Sequence, residues 1–356
     1  MKKIKIAVLF GGQSTEHQVS IMSAKNVVEM IDEKKYEVFL LGISQSGKLR
    51  WLTKNDLNII EKLNDKVGQE IYFRLGGRGQ FFTVKNKNLA KQIDVVWPVL
   101  HGARGEDGTI QGYLKLAGVP FVGAEVLGSA IGMDKEIMKR LLEQEKIKTA
   151  KWLSFRHREN IDVDLVEKYL GWPVFVKPSN SGSSIGVAKV TRPQQLKKAC
   201  NMAFGYDNKI LVEEEIKGRE IECAIMGNEK KLASLPGEIL VHDDFYSYSA
   251  KYEKEKGANL SIPARLSKEK IKKIKKLAIR TCQILEIEGM ARVDFFLKNN
   301  GEILINEINT LPGFTKNSMY PILWEVSGIK KKELVDQLIG LAKKRMEREK
   351  ISHDRL

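Results

Sequence analysis

The sequence predicts a mixed α/β chain built as an N-terminal parallel α/β domain followed by two smaller lobes, and three observations carry that. The chain has 356 residues, which is too long for one ordinary core. Its first 43 residues read strand, Gly turn, helix, strand, the pattern of a βαβ unit with a parallel sheet. Further on, a lysine-ended strand with a Ser/Gly loop and a hairpin with one polar face each read as a separate unit.

In order, Lys5–Phe10 is a short apolar run ending at Gly11-Gly12. A helical pattern follows through Val19, Met22, Val27 and Ile31, and Tyr36–Ile43 reads as the second strand. Ile93–Leu100 reads as another buried strand, with a helix over Gly108–Ala117. These elements assign residues 1–124 to the first domain. A helix at Asp134–Gln144 then leads to the strand Val174–Lys177, a small-residue loop from Pro178 to Gly186, and strands Val187–Val190 and Ile210–Glu214. They assign residues 125–217 to a central lobe. Residues 218–356 form the last lobe, with a polar stretch Asp243–Ser261, a helix over Ser267–Glu286, a hairpin, and a final helix Lys331–Arg348.

Composition narrows the function classes. Hydrophobic residues at 42% and charged residues at 29% fit a soluble globular enzyme and not disorder. No apolar run approaches the ~20 residues of a membrane span. The N-terminal apolar stretch is broken by Lys5 and ends in glycines, so it reads as a strand and not a signal peptide. Cys200, Cys223 and Cys282 are odd in number and lack CxxC spacing, which argues against disulfides or zinc and for the reducing cytoplasm. The net charge of +15 raises nucleic-acid binding. In Ser267–Glu286, however, Ile271, Ile274, Leu277, Ala278, Thr281 and Ile284 fall at helical spacing with lysines mainly between them. That is a solvated basic helix face, and its field also favours anionic nucleotides.

The hairpin carries the densest chemistry. Met290–Leu297 and Glu302–Ile308 are strands joined by Lys298-Asn299-Asn300-Gly301. Alternation puts Arg292 with Asp294 on one face, and Glu307 with Asn309. A turn centred on Asn299-Asn300 sets Asp294 opposite Ile305, with Glu307 its diagonal neighbour at ~7–8 Å. Oxygen ligands of this kind suit one or two magnesium ions bridging phosphates, and Arg292 suits an oxyanion. A solvated face with a salt bridge is the alternative. Second, strand Val174–Lys177 delivers Lys177 into the loop through Gly186, whose free amides and hydroxyls can close over phosphates. It matches neither the Walker A nor the GxGxxG pattern, and an ordinary surface turn has the same composition. Third, Glu213, Glu214 and Glu215 end a strand, which offers either a solvated edge or backbone groups and a carboxylate to an adenine.

Together these pieces resemble the ATP-grasp superfamily, and more narrowly the D-alanine–D-alanine ligases. The likeness runs from about Lys3 to Leu341. It includes the segments 11–20, 100–108 and 133–135, then 177–186, 245–252, 291–294 and 306–313. The set in this order is specific, though each piece alone is not. The resemblance implies an ATP-grasp fold, in which two lobes hold ATP between them. It implies ATP and two Mg2+ (or Mn2+) as cofactors, D-alanine as substrate, and a homodimer without nucleic-acid or membrane partners. The implied role is in peptidoglycan precursor synthesis in the cytoplasm.

By the same resemblance, Glu16 binds the amino group of the first D-alanine and joins Ser183 and Tyr252 in a hydrogen-bond network. Lys135, Lys177 and Lys251 contact phosphates. Ser184, Glu213, Glu214, Ile216, Glu220 and Phe296 line the nucleotide. Asp294, Glu307 and Asn309 hold the metals. Arg292 and the Gly313 amide form an oxyanion hole. Ser318 and Met319 receive the second substrate's carboxylate, while His101 has either a structural or a substrate role. The residues 243–261 and the Ser/Gly loop are the implied lids. Three departures stand out: Gln18 where relatives often carry Glu, Glu214-Glu215 where many carry basic or aromatic residues, and Met319 for a common Leu. Tyr252, where lactate-using relatives supply a His, favours D-alanine over D-lactate; D-serine is not separated by sequence. A non-catalytic nucleotide- or nucleic-acid-binding protein predicts loss of Arg292 or of the metal carboxylates, and all are present.

Overall fold

The computed structural model describes residues 2–240 and 259–353. Tyr252, Lys251 and most of the polar stretch expected as a lid lie outside the described residues.

The N-terminal strand β1 (Ile4–Gly11) is followed by α1 (His17–Met30) and β2 (Tyr36–Ile43). Next come β3 (Leu49–Leu52), α2 (Lys54–Ile59), β4 (Gln69–Phe73), β5 (Gln80–Thr83) and β6 (Leu89–Gln92). The unit ends in β7 (Val95–Pro98) and α3 (Thr109–Leu116). They build a seven-stranded sheet of order β6-β5-β4-β3-β2-β1-β7. Pairing is parallel in β2-β1-β7, as the βαβ pattern requires, and antiparallel from β2 out to β6. The strand expected over Ile93–Leu100 is shorter, because Pro98 ends its ladder. On α1, Val19 and Val27 are buried as expected, as is Ile31 just after it, but Met22 is 48% exposed. The helix instead buries the polar Ser20, Ser23 and Asn26.

Helices α4 (Val126–Met133) and α5 (Lys135–Gln144) come next. After them, β8 (Trp152–Phe155), α6 (Val163–Leu170), β9 (Val174–Pro178), β10 (Ala188–Val190), α7 (Leu196–Ala203) and β11 (Ile210–Glu214) form the middle lobe. Its four-stranded antiparallel sheet has the order β10-β9-β11-β8. Val166, Val174, Val176, Leu196 and Val212 pack its core. Met138 and Leu142 of α5 belong instead to the core of the next sheet.

That third sheet contains β12 (Gly218–Gly227), β13 (Leu232–Ala233), β14 (Gly237–Leu240) and β15 (Asn259–Ser261). After α8 (Lys268–Ile284), β16 (Gly289–Lys298) and β17 (Ile303–Asn309) complete it. The order is β15-β14-β12-β16-β17, with β13 beside β12. One face is packed by Val293, Phe295, Ile305 and α8, whose Ile274, Ala278 and Cys282 turn inward while most of its lysines face solvent. The other face carries the polar side chains. Helices α9 (Met319–Val326) and α10 (Lys331–His353) then return to the first domain. Leu334, Val335, Leu338 and Ile339 of α10 share one core with Ile6, Val8, Phe10 and Trp97. Cys200, Cys223 and Cys282 are free and buried, and burial pushes each thiol up to about 12.

Candidate active site

The hairpin corrects one expectation. Asp294 lies directly opposite Glu307, not Ile305, and Arg292 lies opposite Asn309. Near the turn the register sets Phe295 opposite Ile305; a β-bulge then inserts Asn306 and shifts the rest by one residue. The bulge brings the two carboxylates into a direct cross-strand pair. Such a pair has Cβ atoms ~4.5–5.5 Å apart. Arg292 donates from Nε and Nη2 to Asp294 at 2.8 and 2.7 Å, and its Nε stands 2.9 Å from Glu222. Burial opposes the guanidinium charge, but Asp294 and Glu222 prevail and raise its pKa well above the ordinary value. Glu222 escaped the sequence reading; its signal was the Glu220/Glu222 alternation on β12, which faces Phe296 and Asp294 across the ladder.

The middle lobe supplies the cations. Lys177, near the end of β9, pairs with Glu213 of β11 at 2.6 Å, and the fully buried Lys139 of α5 meets the same carboxylate at 3.1 Å. Burial works against the charged form of Glu213, but the two lysines hold it below the usual carboxylate range. Asp134 caps α5, accepting from the amides of Glu136 and Ile137, and so fixes Lys135 at the first helical position. Lys135 Nζ donates to the Ser181 carbonyl at 2.6 Å and stands 3.7 Å from Glu307, bridging the loop and the third sheet. Burial pushes its pKa down, against the charge of Glu307. Glu214 is turned away, accepting from the Lys151 amide at 2.8 Å, and Glu215 pairs with Lys189 at 2.7 Å. Ile216 sits half-buried on the crossover to β12.

The first domain closes the site. Glu16 is the N-cap residue of α1, 5% exposed, and its carboxylate accepts from the Ser183 hydroxyl across the lobes. Ser183 and Ser184 both adopt left-handed backbone conformations, φ 51 and 59°. Such conformations are uncommon for non-glycine residues and mark a tightly constrained loop. Glu106, also missed from sequence, accepts from the Gly102 amide at 2.7 Å. Burial and the charge of Glu16 push it up to about 8. His101 is buried with Ser23 Oγ 3.3 Å from its Nε2. Burial lowers its pKa, against Glu16 and a hydrogen bond to the Leu311 backbone. In the loop after β17, Asn309 Oδ1 accepts from the Leu311 amide at 3.1 Å. A Cβ on Gly313 would stand 2.9 Å from Ser318 Oγ, which already accepts from the Thr315 amide. The Met319 side chain is buried in the core; its backbone begins α9.

The folded chain thus gathers Glu16 with Ser183, Lys135 with Glu307, Lys177 with Glu213, and Arg292 with Asp294. Two lysines and a guanidinium beside paired carboxylates can hold a polyphosphate and stabilise a developing oxyanion.

Comparison with known proteins agrees with that chemistry. The family described as D-ala D-ala ligase N-terminus matches residues 5–124, and D-ala D-ala ligase C-terminus matches residues 141–340. The chain is 49% identical to the D-alanine–D-alanine ligase of Oceanobacillus iheyensis, covering 98% of this chain and 97% of that one. It is 43% identical to D-alanine–D-alanine ligase A of Escherichia coli K12, covering 97% of each. Among solved structures, the D-alanine–D-alanine ligase of Coxiella burnetii superposes with a TM-score of 0.87 at 35% identity, over 99% of this chain and 98% of that one. The VanG D-Ala:D-Ser ligase of Enterococcus faecalis superposes with a TM-score of 0.87 at 36% identity, over 96% of this chain and 100% of that one.

Proposed function

The chain belongs to the D-alanine–D-alanine ligase family, an ATP-grasp family of ATP-dependent ligases, and from that premise we propose the following division of labour in its site. Two D-alanine molecules are joined through an acyl phosphate. The carboxylate of the first attacks the γ-phosphate of ATP and releases ADP. The amine of the second attacks the acyl carbon, loses a proton, and displaces phosphate. The observation that carries this reading is the meeting of Lys135 with Glu307 at 3.7 Å, which sets the lysines of the middle lobe against the carboxylate face of the third sheet.

Glu16 receives the ammonium of the first D-alanine, and its bond to Ser183 ties that subsite to the loop. Lys135 and Lys177 hold phosphate oxygens, while Glu213 keeps Lys177 aimed. Lys251, with Ser184, Glu213, Ile216, Glu220 and Phe296, completes the nucleotide contacts in the proposal; Glu214 contributes only backbone groups, because its carboxylate is turned to the Lys151 amide. Arg292 and the Gly313 amide receive the oxyanion of the tetrahedral intermediate. Ser318 and the Met319 backbone face the second carboxylate. Asp294, Glu307 and Asn309 offer an all-oxygen set that fits Mg2+ and would hold it. When bound, such ions offset phosphate charge. Water must be excluded, because it would hydrolyse the acyl phosphate.

A cytoplasmic location and a homodimer belong to the same proposal. Among the described residues no helix is long and apolar enough to cross a membrane. Of the two rival second substrates, D-serine and D-lactate, D-serine is the nearer, because the VanG D-Ala:D-Ser ligase superposes as well as the Coxiella enzyme. The higher identity of the D-alanine–D-alanine ligases favours D-alanine. The test is phosphate release with ATP and Mg2+, offering D-alanine alone and then with D-serine or D-lactate, and identifying products by mass spectrometry across pH 6 to 9. D-Alanyl-D-alanine as the main product is expected. Mostly mixed D-serine dipeptide, or mostly depsipeptide at pH 7, would replace this reading by its rival.

A further inference from the structure

Helix α1 buries two polar side chains that no step above uses, and both reach the residue after Gly313. Asn26 Nδ2 donates to the Phe314 carbonyl at 2.6 Å. The Phe314 amide donates to Ser23 Oγ at 3.4 Å. Both polar backbone atoms of Phe314 are therefore held by one helix of the first domain, 288 and 291 residues away in sequence. The ring is held as well: Phe314 is 1% exposed, edge-on to Trp97 of β7 at 5.3 Å and 5.5 Å from the Tyr320 ring. Burying an amide and a hydroxyl costs stability unless they are satisfied, and here their partners are the loop backbone itself.

We propose that Asn26, assisted by Ser23, is a positioning residue of the ligation step, clamping Phe314 so that the Gly313 amide stays aimed at the acyl oxygen. The inference rests on the proposed role of Gly313. Its physical content is a ruler. Glu16 stands at the N-cap position of α1 and takes the amine end of the activated D-alanine; Ser23 and Asn26 lie on the same rigid helix, Asn26 about 15 Å along its axis from Glu16. One helix then fixes both the amine subsite and the donor for the acyl oxygen. Loosening the clamp leaves ATP binding and acyl-phosphate formation in place but slows attack by the amine. The acyl phosphate then loses its phosphate to water, regenerating D-alanine.

The experiment uses the full chain with ATP, Mg2+ and D-alanine, and measures phosphate and D-alanyl-D-alanine in the same reaction. Wild type should give one phosphate per dipeptide. Asn26→Leu, which keeps the volume and loses the donor, should lower kcat on the order of tenfold, less than the loss from removing an oxyanion donor outright. Its KM for ATP should hold, and phosphate should exceed dipeptide. Asn26→Asp, which sets an acceptor against the Phe314 carbonyl, should be worse than Asn26→Leu in both respects. Melting curves identify any loss due to unfolding, which would lower both products together and leave their ratio at one. Variants that melt like wild type and keep the ratio at one, while wild type makes dipeptide, overturn the clamp alone. A wild type that makes no dipeptide overturns the ligase reading, and the clamp with it.

Discussion

At the scale of single residues, two carboxylates make opposite predictions. Glu307 is paired across the ladder with Asp294 and approached by Lys135. Glu307→Gln keeps the shape and removes the charge, so turnover should fall nearly to background with an unchanged melting curve. Full activity would remove Glu307 from the site. Glu106 is pushed up to about 8 by burial and by Glu16, whereas an unfolded glutamate titrates near ~4.3. Between those values the folded chain binds a proton that the unfolded chain has released, so stability falls as pH rises. Glu106→Gln lacks that titration. Its melting temperature relative to wild type should therefore climb from pH 5 to pH 8, and a constant difference would show that Glu106 is ionised in the folded protein. Arg292, Asp294 and Glu307 were legible in the sequence because charges alternating with buried Val293, Phe295 and Ile308 mark one face of a strand. Glu106 and Glu222 were not, since each gains its meaning from a partner on another element.

Elements were legible where apolar periodicity was long. The helix α8 and the strand β2 follow it closely. The antiparallel run β3 to β6 was not resolved, because its strands are four or five residues long and partly exposed. Register was misjudged for a related reason: an inserted Asn306 leaves no trace in hydropathy. The start of α5 shows what holds the phosphate loop in place. Lys209 donates to Asp134 at 2.7 Å and stands 2.9 Å from the fully buried Glu136, while the Ser179 hydroxyl donates to Asp134 at 2.9 Å. Removing one member of a buried ion network costs ~3–5 kcal/mol, because the remaining charge loses its partner. Lys209→Met should sit at the lower end, about 3 kcal/mol in a urea titration, since Arg156 still meets Glu136 at 2.9 Å. A loss below about 1 kcal/mol, the range of exposed pairs, would show that Arg156 and Arg140, which also pairs with Glu136, suffice.

Across the whole molecule, the charge of +15 is spread over solvated faces such as that of α8. Association with duplex DNA should accordingly be weak, independent of sequence, and lost steeply with added salt. Tight, selective binding at physiological salt would point to a basic surface with a second task. The last helix has a different kind of reach. Arg345, 2% exposed, donates to the carbonyls of Gly123 and Phe121 at 2.7 and 2.9 Å and lies over the Phe121 ring. Above it, Leu334, Leu338 and Ile339 share one core with α1 and with Val95 and Trp97 of β7, against which the last helix packs. During synthesis the part of this core at β7, which α1 leaves to the last helix, therefore waits for more than two hundred further residues. At ~5–20 residues per second that is roughly 12–47 s on the ribosome with that apolar patch uncovered. Nascent chains should engage holding chaperones through that window, and a message truncated before Lys331 should yield protein that aggregates on release.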